Sequence, residues 1–227
     1  MIRTVSGKPY RGMTPDPKEA TTAALQAARS GNLPLVEIFY SLQGEGLRTG
    51  QATTFVRFAG CNLACDFCDT DFRIREQSSL EMVIQTVRSQ TTHCRWVCLT
   101  GGEPTIHDLK PLCDVLHDHG YSIQMETNGT RPQPSWEVDH VTVSPKESQG
   151  GKLHAWYLTH ATEFKHVIDD QNDIDLVLAT SALHTNPVYL QPNSLNPSAE
   201  EICVKSVLRY PQRFRLSLQT HKLLSIR

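Results

Sequence analysis

The segment Ala59-Gly60-Cys61-Asn62-Leu63-Ala64-Cys65-Asp66-Phe67-Cys68-Asp69-Thr70 places three cysteines at the spacing C-x3-C-x2-C. It follows the apolar run Thr53-Thr54-Phe55-Val56-Arg57-Phe58, which predicts a buried strand. A [4Fe–4S] cluster has four irons and usually takes four cysteines. Three thiolates on one short loop would therefore hold such a cluster and leave one iron open to a ligand from outside the protein.

Two other interpretations fit the same three cysteines. A structural zinc site would combine them with a fourth ligand from elsewhere, because zinc binds cysteine and histidine readily. Positions 61, 65 and 68 also share one face of a helix, where they would be three small packing residues. The rest of the chain favours the cluster.

Composition limits the class of protein. The chain has 227 residues, 39% apolar and 20% charged, which is typical of a globular protein with one sizeable domain. A formal charge of −2 predicts no nucleic-acid partner and no membrane surface as partner. There is no apolar run of membrane-spanning length and no signal-peptide core at the N-terminus. Seven cysteines, an odd number, indicate a reducing cytoplasm rather than a disulfide framework.

Strands and helices alternate along most of the chain. Strands are predicted at 35–39, 53–58, 95–99, 122–125, 140–143, 162–168 and 188–190, and helices at 17–30, 79–89, 109–119, 173–182 and 200–210. This order predicts an α/β fold whose sheet is mostly parallel. About six parallel strands would form a partial, incomplete TIM-like barrel with one open side. We divide the chain into an N-terminal extension, 1–32, loose and then helical, and a core domain, 33–227.

Glycines and polar residues recur where the predicted strands end, which is where α/β folds bind ligands. The segments are Gln43-Gly44-Glu45-Gly46, Thr100-Gly101-Gly102-Glu103-Pro104, Ser144-Pro145-Lys146 and Gln191-Pro192-Asn193-Ser194. Paired glycines uncover backbone groups that can bind small charged ligands, and Glu103 can accept a hydrogen bond from an ammonium group. Each segment alone also fits an ordinary turn or a solvated surface.

The triple cysteine and the Gly-Gly-Glu-Pro segment together resemble the radical S-adenosylmethionine (SAM) superfamily. The resemblance implies that SAM chelates the open iron, and that an electron from the cluster yields a 5′-deoxyadenosyl radical. It places the methionine end of SAM on the Gly-Gly-Glu-Pro segment. The expected SAM contacts are Phe67, Cys68, Asp69, Gly101, Gly102, Glu103, Ser144, Pro145, Lys146, Gln191, Pro192, Asn193 and Ser194.

Five segments are more specific and resemble the 7-carboxy-7-deazaguanine synthases, from about residue 35 to the C-terminus. They are 39–46, 68–72, 126–129, 144–146 and 215–222. This resemblance implies a carbon–nitrogen lyase that converts 6-carboxy-5,6,7,8-tetrahydropterin to 7-carboxy-7-deazaguanine with loss of ammonia, on the path to queuosine in transfer RNA. It also implies Mg²⁺ on the substrate carboxylate, flavodoxin or ferredoxin as electron donor, and a homodimer.

Several residues suit a planar pterin that carries a carboxylate. Arg57 can bind a carboxylate through two nitrogens, or else form a strand-surface salt bridge. Thr70 offers a hydroxyl to Mg²⁺, or else caps a helix. The expected substrate contacts are Leu42, Gln43, Gly44, Glu45, Arg57, Thr100, His221 and, through its terminal carboxylate, Arg227.

The chain departs from the family pattern at Ser225, where the ending Lys-x-Leu-Gly-Ile-Arg has a glycine. Four further cysteines, at 94, 98, 113 and 203, lack cluster spacing, and Cys98 fits core packing. Two rival functions stay open at this point. One is a different radical SAM enzyme, such as an activase that places a glycyl radical on a partner protein, and the other is a non-enzymatic zinc-binding module.

Overall fold

Nine strands in residues 16–227, the part of the chain that the computed structural model describes, form one sheet. The strands are β1 (Leu33–Leu42), β2 (Ala52–Phe58), β3 (Glu76–Ser78), β4 (Trp96–Gly101), β5 (Ser122–Thr127), β6 (His140–Val143), β7 (Glu163–Ile168), β8 (Val188–Pro192) and β9 (Phe214–Leu216). The helices are α1 (Pro17–Arg29), α2 (Leu80–Gln90), α3 (Lys110–Asp118), α4 (Tyr157–His160), α5 (Gln171–Thr180), α6 (Ser198–Arg209) and α7 (Thr220–Leu223). The loose segment predicted for residues 1–16 lies, apart from Asp16, outside the described residues.

The sheet confirms the predicted α/β fold and incomplete barrel. Its order is β3-β1-β2-β4-β5-β6-β7-β8-β9, and every pair from β2 to β9 is parallel. The edge strands β3 and β9 do not pair with each other, so the barrel stays open. The parallel strands number one more than predicted, because buried Phe214 pairs with Val188 and adds β9 to the sheet.

Helices cover the outer face of the sheet through apolar stripes. Leu112 and Leu116 of α3 join Val83 of α2 and Val97 and Ile123 of the strands in one buried cluster. Full burial of each such side chain stabilises the fold by roughly 1.5–3 kcal/mol. Between β6 and β7 only the four-residue α4 remains, so the helical layer is thin there. No helix in residues 16–227 combines the length and the apolar character that a bilayer crossing needs.

The helix predicted at 17–30 forms as α1. Asp16 caps its start, because its carboxylate accepts a hydrogen bond from the Lys18 N–H at 2.9 Å. Ala20, Ala24 and Ala27 lie one helical turn apart and are buried. Ala24 packs in a small cluster with residues of β1 and of the loop that follows β2. The helix therefore docks beside the cysteine loop, residues 59–72.

Candidate active site

One cavity of about 500 Å³ lies at the carboxyl ends of the parallel strands, beside the cysteine loop. All of the predicted site residues border it except Glu103 and Pro145. The cavity is lined by Glu37, Phe39, Leu42, Gln43, Gly44, Glu45, Phe55, Arg57, Cys61, Leu63, Cys65, Phe67, Cys68, Asp69, Thr70, Asp71, Phe72, Thr100, Gly101, Gly102, Glu126, Thr127, Asn128, Ser144, Lys146, Lys165, Val167, Gln191, Pro192, Asn193, Ser194, Gln219, His221, Lys222 and Arg227.

The two exceptions are held elsewhere in the structure and do not border this cavity. Glu103 is fully buried, and its carboxylate accepts hydrogen bonds from Thr105, from the Thr127 hydroxyl at 2.7 Å and from the Asn128 N–H at 2.6 Å. It ties the loop after β4 to the end of β5, so the structure favours a positioning role over contact with an ammonium group. Pro145 borders a separate small cavity next to His166.

Three half-buried thiols face the cavity from the cysteine loop. Residues 59–75 contain no helix, so the interpretation of Cys61, Cys65 and Cys68 as one packed helical face is wrong. Burial raises the pKa of the Cys61 thiol to about 12 and also raises the pKa values of Cys65 and Cys68. Without a bound metal the three groups are therefore neutral thiols near pH 7.

The three thiols form a donor set of the kind that iron–sulfur clusters use. Within residues 16–227 no group of three His, Cys, Asp or Glu side chains is arranged to hold a single metal ion. In a [4Fe–4S] cluster each thiolate binds a different iron, so the sulfurs stay apart. Neighbouring residues brace the loop, since Asn128 donates to the Asn62 side chain at 2.9 Å and the Asp66 N–H donates to Gln149 at 2.9 Å.

Gly102 lies directly under the first cysteine. A Cβ at position 102 would sit 2.1 Å from the Gly60 carbonyl oxygen and 2.9 Å from the Cys61 Cβ. The Glu103 N–H donates to the same Gly60 oxygen at 2.9 Å. This contact explains the paired glycines in steric terms: they let the end of β4 approach the backbone that carries Cys61.

We expect Gly102→Ala to lower the iron content of reconstituted protein and its activity sharply. The added methyl group must push the cysteine loop away or destabilise the fold by about 1–3 kcal/mol. Iron per chain and the thermal midpoint measure the two effects. Gly120→Ala is the matched control, since a Cβ there meets nothing within 4 Å and its φ of +73° causes only local strain. A Gly102→Ala protein that retains the parent's iron content would contradict this steric account.

A buried ion triad, Lys165 with Glu45 and Glu126, lies on the inner face of the sheet. The Lys165 ammonium bonds to a Glu45 oxygen and lies 2.9 Å from a Glu126 oxygen. Burial raises the pKa of Glu45, but the charge and hydrogen bond of Lys165 outweigh it and lower that pKa to about 2. Burial dominates at Glu126 and raises its pKa, while the two carboxylates outweigh burial at Lys165 and raise its pKa.

Amide side chains connect the triad to its surroundings. Gln219 donates to Glu45 at 2.8 Å, and Gln43 donates to Glu126 at 3.2 Å and to Gln124 at 3.1 Å. The amide and ammonium groups donate hydrogen bonds and the carboxylates accept them. Such a set suits the polar edge of a flat heterocycle. A bound ring could therefore replace some of these hydrogen bonds with hydrogen bonds to its own polar atoms.

Sequence analysis missed several residues that line this site, namely Glu37, Glu126, Lys165, Gln219 and Lys222. A signal for Lys165 exists in β7, where Glu163, Lys165 and Val167 alternate with Phe164, His166 and Ile168. Both sets are largely buried, so a charged residue on one face indicates a polar interior. Glu126, Gln219 and Lys222 lie in segments that carried the family resemblance, but no residue pattern assigned them a role.

Two arginines meet at one edge of the cavity. The Arg57 Nε donates to Glu37 at 3.0 Å, and the Arg227 guanidinium bonds to the other Glu37 oxygen. The salt bridge considered for Arg57 therefore exists, yet Arg57 also borders the cavity and its terminal nitrogens bond to no described residue. Arg57 therefore keeps hydrogen-bond donors that can bind a ligand carboxylate, and its predicted substrate role stays a prediction.

The C-terminus reaches the same edge. The backbone oxygen of Arg227 accepts a hydrogen bond from the Ser41 hydroxyl. Ser225 has φ of +52° and is the single non-glycine residue with positive φ in residues 16–227. This left-handed conformation favours glycine, which is the residue that the family ending has at this position.

The segment after β9 packs onto the turn after β1. A Cβ at Gly44 would lie 2.2 Å from Nδ1 of His221, and the Thr220 N–H donates to the Gly44 oxygen at 3.0 Å. Lys222 donates to the Ser194 hydroxyl at 2.9 Å and also bonds to Asp69. The C-terminal segment therefore joins the cysteine loop to the end of β8 across the cavity.

Two expected ligand groups have local partners in the structure. Lys146 donates to the backbone oxygen of Ser144 at 2.8 Å, and burial lowers the pKa of Lys146 to about 8. Its ammonium lies 5.8 Å from the ring centre of Phe67. Thr70 borders the cavity, and its hydroxyl donates to the Asp69 carboxylate at 3.5 Å. Thr70 precedes no helix, so the helix-cap interpretation is wrong.

Comparison with known proteins agrees with this geometry. A family profile described as Radical SAM superfamily matches residues 55–144. A 7-carboxy-7-deazaguanine synthase of Bacteroides thetaiotaomicron is 45% identical over 191 residues, covering 84% of this chain and 97% of the relative. The Escherichia coli K12 protein of that name is 35% identical, covering 85% and 98%. The crystal structure of QueE from Escherichia coli superposes with a TM-score of 0.69 at 31% identity, covering 92% of this chain and 100% of that one.

Proposed function

The chain belongs to the 7-carboxy-7-deazaguanine synthase family of radical SAM proteins, and we propose from this premise that it converts 6-carboxy-5,6,7,8-tetrahydropterin to 7-carboxy-7-deazaguanine. Ammonia leaves in the reaction, and the product serves the path to queuosine. One observation carries the proposal: a single cavity joins the three-cysteine loop to Arg57 and the Gln43-Gly44-Glu45 turn. Radical chemistry and pterin recognition thus share one chamber.

The residues around the cysteine loop fit the cofactors that radical SAM proteins use. Cys61, Cys65 and Cys68 would hold a [4Fe–4S] cluster, which together with bound SAM supplies the radical that takes a hydrogen atom from C6 of the pterin. Gly101 and Gly102 border the cavity beside the cysteine loop, where their backbone fits the methionine end of SAM. The neighbouring Lys146 ammonium lies where it can meet the SAM carboxylate or ribose.

The opposite side of the cavity fits the pterin. Arg57 receives the substrate carboxylate, and Thr70 offers a hydroxyl to a Mg²⁺ ion bound by the same carboxylate. The terminal carboxylate of Arg227 is a further substrate contact. Gln43 and Glu45 present an amide and a carboxylate to the amino-pyrimidinone edge. These groups orient C6 toward the cysteine loop.

Turnover tests the proposal directly. Reconstituted protein is incubated without oxygen with SAM, Mg²⁺, a reductant and 6-carboxytetrahydropterin, and the deazaguanine chromophore is followed. We expect product only when SAM and reductant are both present. An active cluster that cleaves SAM without converting the pterin would instead favour the rival activase, whose substrate is a protein.

The family also suggests a homodimer and a flavodoxin or ferredoxin as electron donor. Leu223 and Leu224 of the C-terminal segment are 71% and 54% exposed, which supports a covering partner near the cavity mouth. Sedimentation equilibrium measures the mass of the assembly. The rate at which flavodoxin and ferredoxin each reduce the iron-loaded protein shows which is the better electron donor. A monomer at all concentrations would overturn the dimer.

We expect Arg57→Lys to lower kcat/KM by about 30-fold, since a charge-assisted hydrogen bond contributes roughly 2 kcal/mol. Lysine keeps the charge but loses the planar fork that binds a carboxylate through two nitrogens. The loss should appear chiefly in KM, measured by initial rates. Arg95→Lys is the matched control, because Arg95 lies over the Tyr121 ring and does not border the cavity. Equal effects of the two substitutions would refute the role of Arg57.

A further inference from the structure

The backbone at the start of the cysteine loop is hydrogen-bonded at every polar group from residue 59 to 61. The Ala59 N–H donates to the Pro34 oxygen and the Gly60 N–H donates to the Phe72 oxygen, each at 2.9 Å. The Ala59 oxygen lies 2.8 Å from Nε2 of His107, and the Gly60 oxygen accepts from the Glu103 N–H. These four groups are all satisfied by the core domain.

The backbone groups of Cys61 differ from these, because their hydrogen-bond partner lies on α1. The Cys61 N–H donates to the Thr21 hydroxyl oxygen at 3.0 Å, and the same hydroxyl donates to the Cys61 oxygen at 2.5 Å. Within residues 16–227, no other group bonds to the Cys61 backbone. One hydroxyl therefore fixes both sides of the residue that carries the first thiol.

Thr21 does not behave as a threonine on a helix usually does. The hydroxyl of its neighbour Thr22 donates to the Lys18 oxygen one turn back, at 2.7 Å, which is the common pattern. Thr21 is turned instead toward a residue 40 positions later. A long-range contact that replaces the local one indicates a tertiary role.

Helix α1 packs closely against the cysteine loop at Gly60. Gly60 has φ of +84°, and a Cβ there would lie 2.9 Å from the Ala24 Cβ and 3.4 Å from the Thr21 Cα. A small residue on the helix and a glycine on the loop thus let the two backbones approach closely. This approach brings the Thr21 hydroxyl within reach of Cys61.

The helix is also additional to the part of the chain that carries the family motifs, which begin near residue 35. Three curated relatives cover 84–85% of this chain while 97–98% of their own length is covered. These relatives match most of this chain, and α1 lies before the shared motifs.

We propose that Thr21 is a positioning residue for the cysteine loop, and that α1 serves as a brace for the first cluster ligand. The hydroxyl fixes the Cys61 peptide and so the direction from which its thiolate binds iron. This inference rests on the proposed cluster, which is the group that Cys61 would bind. Loss of the hydroxyl removes the partner of both the N–H and the C=O of Cys61, which are part-buried.

Thr21→Val removes the hydroxyl and keeps the shape of the side chain. In the metal-free protein we expect the Cys61 amide to exchange its hydrogen faster than in the parent. In reconstituted protein we expect iron to be lost to a chelator about tenfold faster, because the Cys61 backbone has lost the two hydrogen bonds that fix it. The EPR spectrum of the reduced cluster should change as well, since the first ligand is no longer fixed.

Two companions make the experiment decisive. Thr21→Ser keeps the hydroxyl and should restore parent behaviour, and Thr22→Val alters the neighbouring threonine and should change nothing in the loop. Parent-like exchange, iron loss and EPR in Thr21→Val would overturn the inference, as would a Thr21→Ser variant that behaves like Thr21→Val. If the parent itself binds no iron, the proposed function fails instead, and amide exchange still reports on the Thr21–Cys61 contact.

Discussion

Cys65→Ala should abolish conversion of the tetrahydropterin while leaving most of the fold intact. Two thiolates cannot hold the cluster as three do. Loss of a direct ligand should reduce activity by more than the ~10–100-fold that follows loss of a residue hydrogen-bonded to a metal ligand. The Cys65 thiol is half-buried at the cavity, so its removal leaves no hole in the core. Product formation, iron per chain and the far-ultraviolet CD spectrum measure the three expectations.

Cys203→Ala is the matched control for this variant. Cys203 lies on α6, is fully buried and does not border the cavity. Its loss should reduce stability by about 1 kcal/mol through a small cavity and leave iron content and turnover unchanged. Full activity in Cys65→Ala would refute the cluster assignment, and a colourless parent with one zinc would support the structural-module rival.

Lys165→Met should lower the free energy of unfolding at pH 7 by about 3–5 kcal/mol, because it leaves the carboxylates of Glu45 and Glu126 buried without their cation. Methionine fills a similar volume, so the effect reports on charge rather than on packing. Urea denaturation at pH 7 measures it. Lys110→Met is the control, since the Lys110–Asp114 pair is solvent-exposed and its loss should leave the urea midpoint unchanged.

The contribution of Glu45 to the pH dependence of stability should have opposite sign in the two proteins. In the parent, Glu45 has a pKa of about 2 against an ordinary value of 4.5, so its stabilisation is present above pH 4.5 and is lost between about pH 4.5 and 2. In Lys165→Met the cation is gone, so burial outweighs the remaining hydrogen bonds from Gln219 and Gln43 and raises the pKa of both carboxylates above the ordinary value. The folded variant then binds protons more tightly than the unfolded chain and gains stability as pH falls below 7. A Lys165→Met protein that is as stable as the parent at pH 7 would contradict the triad.

Local patterns predicted the architecture well. The apolar runs at 53–58, 95–99 and 122–125 lie within one residue of the starts of β2, β4 and β5, because buried parallel strands read as continuous apolar segments. The short β3 escaped notice because Glu-Gln-Ser has no strand character of its own. It forms through pairing with β1 at the sheet edge, which is a tertiary effect.

Site residues could be predicted where they form a short motif with a fixed spacing. They could not be predicted where their role depends on residues from other strands. The three cysteines and the Gly-Gly-Glu-Pro segment can each be recognised from a few consecutive residues. Lys165 acquires its role only when β7, β5 and the turn after β1 meet, so its partners are 39 and 120 positions away. The placement of Glu103 outside the cavity lining likewise depends on Thr127 and Asn128, which belong to the next strand and its loop.

EPR spectroscopy of the reduced, reconstituted protein before and after addition of SAM tests the central claim most directly. If three thiolates leave one iron free for SAM, the cluster signal changes on addition of SAM and the change persists in the Cys203→Ala control. An iron-loaded parent protein whose signal is identical with and without SAM, and which cleaves no SAM with any reductant, would contradict the account.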